Sequence, residues 1–426
     1  MSLFAFFLAV ALLGFPIAFA FALAGLLQIT ITSGPTLTFD SVVSVAFGGL
    51  DSFVLMAIPF FIFAGDLMKR GGIVRHLIDF SSLFSNGRRS SIGSITVLTS
   101  SFFGAISGSS AASVAAVGSV MLPEMERRSY GRAYAAALTA ASGYIGILIP
   151  PSIPLILYGL ASSASIGELF LAGIGPGILA AFLFVLLNRW TLSRQSDEKG
   201  EELNRKTSAF RTMLYAVPGL VLPILILGGI YSGVFTPTEA AAIAVGYALI
   251  VGRFVYRSFT FAEIPKIALG SAVTSATIMI IIGFAAFFGR VMTIEQMPAT
   301  ISAMMLGITE NPVLLMLLIN LFLLCLGMFI ETATVILLAT PILLPIANSI
   351  GVDPIHFGVI MVMNLAIGLI TPPMALNIFV ISRIARIPIR DVMGPIMPFV
   401  VTSLVLLMLV TFIPAISMFL PTYLDG

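Results

Sequence analysis

Residues 104–123 read GAISGSSAASVAAVGSVMLP, and residues 327–345 read GMFIETATVILLATPILLP. Both are islands of glycine, hydroxyl side chains and proline in a chain otherwise built from Leu, Ile, Val, Phe and Ala. Downstream of the first, residues 146–159 read GILIPPSIPLILYG; downstream of the second, residues 368–381 read GLITPPMALNIFVI. The spacing matches, with 46 residues from Gly104 to Pro150 and 45 from Gly327 to Pro372. Further on, Gly175-Pro176 corresponds to Gly394-Pro395. This is an internal repeat with matching interruptions. Paired interruptions in two apolar halves are a sequence pointer to a membrane binding site.

The bulk composition sets the solvent. The 426 residues are 59% hydrophobic and 9% charged, with a mean hydropathy of +1.11. Soluble domains carry about 25% charged residues. One core cannot bury such an apolar excess, so the chain is expected to face a lipid bilayer as an all-α polytopic membrane protein. The short alternating segments of a β-barrel are missing. A net charge of +2 gives no reason to expect nucleic acid. The single Cys325 excludes an internal disulfide, and His76 and His356, far apart, form no zinc or haem pattern. No organic cofactor is expected, and no Ser-His-Asp, paired-carboxylate or metal constellation supports an enzyme. Met1–Leu27 is apolar without a basic flank or a clear cleavage site, and reads as a first span.

Apolar segments fall at about 3–30, 53–68, 92–122, 131–161, 168–190, 212–231, 238–256, 266–289, 312–347, 355–382 and 395–420. A crossing needs about 20 residues. Segments 92–122 and 312–347 are too long for one helix and carry breakers near their middles. Each is expected to be a re-entrant hairpin of two half-length helices meeting at a tip. Segments 131–161 and 355–382 hold Pro-Pro inside apolar sequence and are expected to be broken helices. The polar stretch Ser193–Arg211, including RQSDEKGEELNRK, splits the chain near its midpoint. The organisation expected is a first repeat over 1–190, a cytoplasmic linker loop and connecting span over 191–237, and a second repeat over 238–426.

Charge placement orients the repeats. Arg88, Arg89, Arg127, Arg128 and Arg132 flank the first hairpin, and positive loops lie in the cytoplasm. Glu310, Asn311, Asp353 and His356 flank the second, with no Lys or Arg, so it should enter from the opposite face. Arg383, Arg386 and Arg390 belong inside again. The repeats are therefore expected to have inverted topology, with the N-terminus inside and the C-terminus outside. Arg290 falls on the outer side, where this scheme gives it no reason to be.

Irregular backbone at membrane depth survives only where protein or water covers it. The tips and breaks therefore belong in the interior. There they supply freed carbonyls and the hydroxyls of Ser107, Ser109 and Ser110 in one tip, Thr332 and Thr334 in the other. Such oxygens suit Na⁺, while helix N-termini at the same level attract a carboxylate. Small residues also serve helix packing, but a paired pattern is poorly explained by packing alone. Glu331 is the one ionisable residue near either tip; it can pair with an Arg, ligate Na⁺, carry a proton or serve structure. Asn364 and Asn377 flank the second break and are candidates for substrate or for interhelical hydrogen bonds. Asp66 lies near a span end and is expected to be a solvated or snorkelling group. Phe60–Phe63 reads as lipid-facing or core packing.

GAISGSSAASVAAVGSVMLPEM from Gly104, GYIGILIPPSIPLILYG from Gly143 and GGIYSGVFTPTEAAAIAVGYAL from Gly228 together resemble the large membrane subunit of tripartite ATP-independent periplasmic (TRAP) transporters. The resemblance covers essentially the whole chain. It implies Na⁺-driven uptake of an organic acid of the sialic acid or C4-dicarboxylate class, delivered by a periplasmic substrate-binding protein. It also implies a small four-span membrane subunit as partner, with no fused copy visible here, and a place in the bacterial cytoplasmic (inner) membrane. The implied fold is an elevator-type transporter. Carried over, at least two Na⁺ sites follow: one from Ser107, Ser109, Gly146, Ile149 and Pro151, the other from Thr332, Thr334, Gly368 and Thr371. Carbonyls would serve at Gly146, Ile149, Gly368 and Thr371. Ser110, Glu331, Asn364 and Asn377 are the substrate-binding candidates. Ile330-Glu331-Thr332 lacks the Ser-Gly-Ser of the first tip, so the two sites are expected to be only approximately symmetric. The rival readings are a cation/proton antiporter of related architecture, which would want more buried Asp or Glu, and a non-transporting membrane scaffold, which would not need paired interruptions.

Overall fold

In the computed structural model, every regular element among the described residues is helical. The structure describes residues 13–32, 39–83, 90–193, 209–309 and 311–424, together with Leu3, Phe6, Phe7, Ala9 and Val10. The stretch 194–208 and the flanking residues Arg88, Arg89 and Glu310 lie outside these residues.

The chain opens with α1 (Ile17–Thr32), α2 (Phe39–Gly48), α3 (Ala57–Arg70) and α4 (Ile73–Ser82). The segment expected at 53–68 is one limb of a longer element: Val42–Gly48 and Phe53–Arg70 form a pair bent by 66°. Gly48, Gly49 and Asp51 interrupt the apolar run at the bend, which hid the first limb in the sequence.

The first hairpin is α5 (Ser91–Ser107) and α6 (Ser110–Arg127). Between them Gly108 has a φ of +60°, a conformation that costs glycine least. Ser109 then caps α6, its hydroxyl accepting the Ala112 N–H at 3.4 Å. The first broken helix is α7 (Arg132–Ile145) and α8 (Ile153–Ser162), with Ser152 capping the second limb. Next come α9 (Ile166–Ser193), α10 (Ala209–Tyr231), α11 (Pro237–Ile250), α12 (Ile264–Ile294) and α13 (Met297–Ile308). The second hairpin is α14 (Pro312–Phe329) and α15 (Thr332–Ser349). The second broken helix is α16 (Pro354–Gly368) and α17 (Leu376–Ala385), followed by α18 (Ile389–Phe412) and α19 (Ala415–Leu424). Asn311-Pro312 and Asp353-Pro354 start α14 and α16 in the same way. The side chain caps the first turn, and the proline needs no hydrogen-bond partner there.

Hairpins and breaks thus fall where the repeat placed them. Their arms do not have the half-length expected: they hold 17 or 18 residues each, about 26 Å at ~1.5 Å per residue. In α6 the charged end Glu124–Arg127 carries the helix past its apolar part. Among the described residues seven helices are long and apolar enough to cross a membrane, or eight if the bent pair counts as one span.

The helices sort into two groups by packing. In one, α3 packs on α11 and α12, while α1 and α2 pack on α12. Asp66 and Ser271, and Arg70 and Glu263, tie α3 to α12 and the turn before it, at 2.6 Å in both cases. The other group is cross-braced. The limb α8 leaves its own hairpin and packs on α15 and α16, while α17 packs on α6 and α7. Tyr158 of α8 donates to the Pro354 carbonyl at 2.7 Å, and Asn377 of α17 donates to the Ala140 carbonyl of α7 at 3.0 Å. At the basic end of the first hairpin, Arg132 donates to both Glu126 oxygens, at 2.5 and 2.9 Å, and holds that carboxyl below its usual range.

Hairpin and break meet through glycine in both halves. A Cβ on Gly104 would lie 2.0 Å from the Gly146 Cα, and one on Gly368 would lie 2.4 Å from the Gly327 carbonyl carbon. Backbone touches backbone at both places, and the four glycines are those that align in the sequence repeat. Gly175 and Gly394 do not keep the correspondence. A Cβ on Gly175 would meet the Ile416 carbonyl at 2.1 Å, whereas Gly394 has nothing within 4 Å. Gly104→Ala or Gly368→Ala must pry the tip from the break, at a cost of about 1–3 kcal/mol. Gly246→Ala, at an open position of α11, should instead be neutral or stabilising by up to about 1 kcal/mol. Thermal unfolding of the three purified variants distinguishes these outcomes.

Candidate functional site

Both hairpin tips open into one cavity of about 780 Å³. Ser107–Ala112 line it from the first tip and Glu331–Thr334 from the second. Ile147, Ile153 and Pro154 come from the first break, and Leu369 and Leu376 from the second. The other helix group closes it with Asp66 and Lys69 of α3 and Thr274 and Thr277 of α12.

Helix ends give this cavity its electrostatics. The N-termini of α6, α8, α15 and α17 all contribute to its wall. Each carries a partial positive charge. Helices α5 and α7, and likewise α14 and α16, bring their C-terminal parts together at the glycine contacts. Those ends carry carbonyls and partial negative charge. Anion-attracting and cation-attracting groups thus lie side by side with few formal charges.

In the first tip, Ser107 Oγ lies 3.4 Å from both the Ser109 carbonyl and Ser113 Oγ, and Ser113 donates to that carbonyl at 3.0 Å. The Pro151 carbonyl approaches the Gly108 backbone, where a Cβ would sit 2.9 Å from it. Ser107, Ser109, Gly146 and Pro151 are therefore gathered at one place. The Ile149 side chain turns the other way, packs on Gly177 and lines a separate cavity.

In the second tip, the hydroxyl oxygens of Thr332 and Thr334 are buried with no hydrogen-bond partner. An unsatisfied buried hydroxyl costs about 1–3 kcal/mol. These oxygens fit a hard cation, which would supply the missing interaction. Gly368 lies against Gly327, and the Thr371 hydroxyl donates to the Ile367 carbonyl at 2.7 Å.

The substrate candidates separate. Glu331 stands at the start of α15 and is exposed to the cavity. Ser110 and Asn377 hydrogen-bond each other, with the Asn377 amide 2.8 Å from the Ser110 hydroxyl, and bridge α6 to α17. Asn364 does not reach the cavity wall; fully buried, it donates to Asn320 Oδ1 at 2.8 Å and to the Ile360 carbonyl at 3.0 Å. Asp66 is half-buried in the cavity wall. Packing of α3 on α12 places it opposite Ser271, whose hydroxyl donates to it at 2.6 Å. Sequence reading missed Ser113, Lys69, Thr274 and Thr277. Hydroxyls at 271, 274 and 277, three residues apart in an apolar helix, were the available signal for the last two.

The Ser110–Asn377 bond joins the two repeats, so its members should couple. Ser110→Ala and Asn377→Ala should each destabilise by about 1–3 kcal/mol. The double variant should fall short of their sum by at least about 0.5 kcal/mol in thermal unfolding. Strict additivity would show the pair to be energetically independent.

The sequence profile described as "Tripartite ATP-independent periplasmic transporter, DctM component" matches residues 4–416. The chain is 42% identical over 418 residues to the isethionate TRAP transporter permease protein DctMQ of Oleidesulfovibrio alaskensis, covering 98% of this chain and 65% of that protein. It thus spans slightly less than two thirds of that longer relative. It is 40% identical over 388 residues to the C4-dicarboxylate TRAP transporter large permease protein DctM of Pseudomonas aeruginosa, covering 90% of this chain and 91% of that one. Its fold resembles the Alcanivorax borkumensis YdaH transporter, with a TM-score of 0.69 at 17% identity, over 95% of this chain and 98% of the other. A chain with two hairpin tips in one cavity, matched to this profile almost end to end, belongs to the DctM family of TRAP transporter large permeases.

Proposed function

We propose that this permease carries an organic acid, of the C4-dicarboxylate or sialic acid class, into the cell together with Na⁺. The observation that carries this reading is the convergence of four helix N-termini on one cavity, next to the two glycine contacts that pair helix C-terminal parts. A carboxylate is attracted by the first set and Na⁺ by the second. The first ion is held by Ser107, Ser109 and carbonyls of the 146–151 break, the second by Thr332, Thr334 and carbonyls of the 368–371 break. The unpaired hydroxyls of Thr332 and Thr334 support the second site. Ser110, Glu331 and Asn377 border the acid, and Asn364 braces the helix behind it.

The two hairpins are re-entrant and the repeats inverted, spanning 1–190 and 238–426 with a cytoplasmic linker between them. Matched glycine contacts and the exchange of α8 and α17 support that symmetry. The hairpin-bearing group moves as an elevator against the group built on α3, α11 and α12. Na⁺ orders the tips, the acid joins, and the near-neutral load crosses. Coupling is the difference in affinity between loaded and empty states. A periplasmic binding protein delivers the acid, a small four-span subunit completes the complex, and the bacterial inner membrane holds it.

The test is uptake of C4-dicarboxylate, sialic acid and isethionate into proteoliposomes containing both membrane subunits, with the binding protein outside. Uptake of one acid should require an inward Na⁺ gradient. The Thr332→Ala/Thr334→Ala variant should raise the Na⁺ concentration for half-maximal rate at least about tenfold, the equivalent of ~1.4 kcal/mol. Uptake that persists unchanged in choline buffer would overturn the reading.

A further inference from the structure

A second cavity, of about 530 Å³, lies among α4, α5, α9 and α10, outside the site described above. One face of α5 forms a wall with Ser91, Ser94, Leu98, Phe102 and Ala105; α9 forms the opposite wall from Ile174 to Arg189. The helices run antiparallel there, since the Asn188 amide donates to the Ser90 carbonyl at 2.8 Å. The α5 wall runs from Ser91 to Ala105, 14 steps along the helix, about 21 Å at ~1.5 Å per residue. That reaches through one leaflet, about half of a ~30 Å hydrocarbon core. One end is polar, with Arg189, Ser91 and Ser94; the remainder is mostly apolar, apart from Ser81, which pairs with Thr99, and Ser101, which donates to the Val97 carbonyl, and it stops at Ile149-Pro150 in the first break.

Three features identify the occupant. Ile178 and Phe182 in the wall are 60% and 57% exposed, so the slot presents open apolar surface of the kind an acyl chain covers. Arg189 lines its polar end, and no carboxylate among the described residues pairs with it. Trp190, an interfacial residue type, adjoins that end and marks the headgroup level. We propose that the slot binds one anionic phospholipid, its phosphate at Arg189 and one acyl chain running between α5 and α9 to the Pro150 break. The lipid then sits between α5 and α9, with its inner end at the first break. This binding does not depend on which acid is carried or on Na⁺ coupling.

Trp190 is the one tryptophan of the chain, so its fluorescence reports this place alone. The purified protein is placed in phosphatidylcholine liposomes with a minor fraction of phosphatidylglycerol or phosphatidylcholine brominated near the ester end of its chains. Brominated phosphatidylglycerol should quench at a roughly fivefold lower fraction than brominated phosphatidylcholine, the preference one Arg provides for anionic lipid. Arg189→Gln should erase that preference. Ala181→Phe, which fills the slot and leaves Arg189 in place, should also erase it. Equal quenching by the two lipids in the unmodified protein overturns the site. So does a preference that survives either variant, because it would reflect basic surface charge alone.

Discussion

Two contacts between bare backbones set the geometry of this protein. Gly104 against Gly146 and Gly327 against Gly368 bring each hairpin tip down onto a broken helix with no side chain between them. Only at that distance do the C-terminal ends of the two helices share one space. A single methyl group at any of these positions would displace one element from the other. Small residues serve many membrane proteins as packing surfaces. Here the same lack of a side chain also assembles a polar site in a chain with very few charges.

The site follows from helix ends, which carry polarity without ionisable groups. Charged side chains are costly in a bilayer interior. Carbonyls, N–H groups and hydroxyls act as ligands without that cost when the backbone around them is covered. The breaks expose these groups, and the cross-packing of α8 on α15 and of α17 on α6 covers them. Each repeat therefore completes the wall of the other. Ser110 and Asn377 make the dependence concrete: residues 267 positions apart share a hydrogen bond beside the cavity.

The second helix group contributes in a different way. Its Asp66, Lys69, Thr274 and Thr277 face the cavity, but they come from α3 and α12, which bear neither hairpin nor break. A cavity walled by both groups changes its lining whenever one slides on the other.

The chain alone determined that this is a helical membrane protein, where its hairpins and breaks lie, and which glycines correspond. Those features are local: apolar excess, proline in apolar runs and the spacing of two repeats, all of which act through the backbone within a few turns. The limb at 42–48 was illegible because Gly48, Gly49 and Asp51 broke its pattern, and the arms proved longer than apolar length suggested. Tertiary structure alone decided which side chains face the cavity. It turned Asn364 toward Asn320, paired Ser110 with Asn377, and placed Asp66 beside Ser271. The physical reason is that a hydroxyl or amide in an apolar helix reads the same whether it meets a ligand or a neighbouring helix. Only the packing of distant segments gives it one partner or the other.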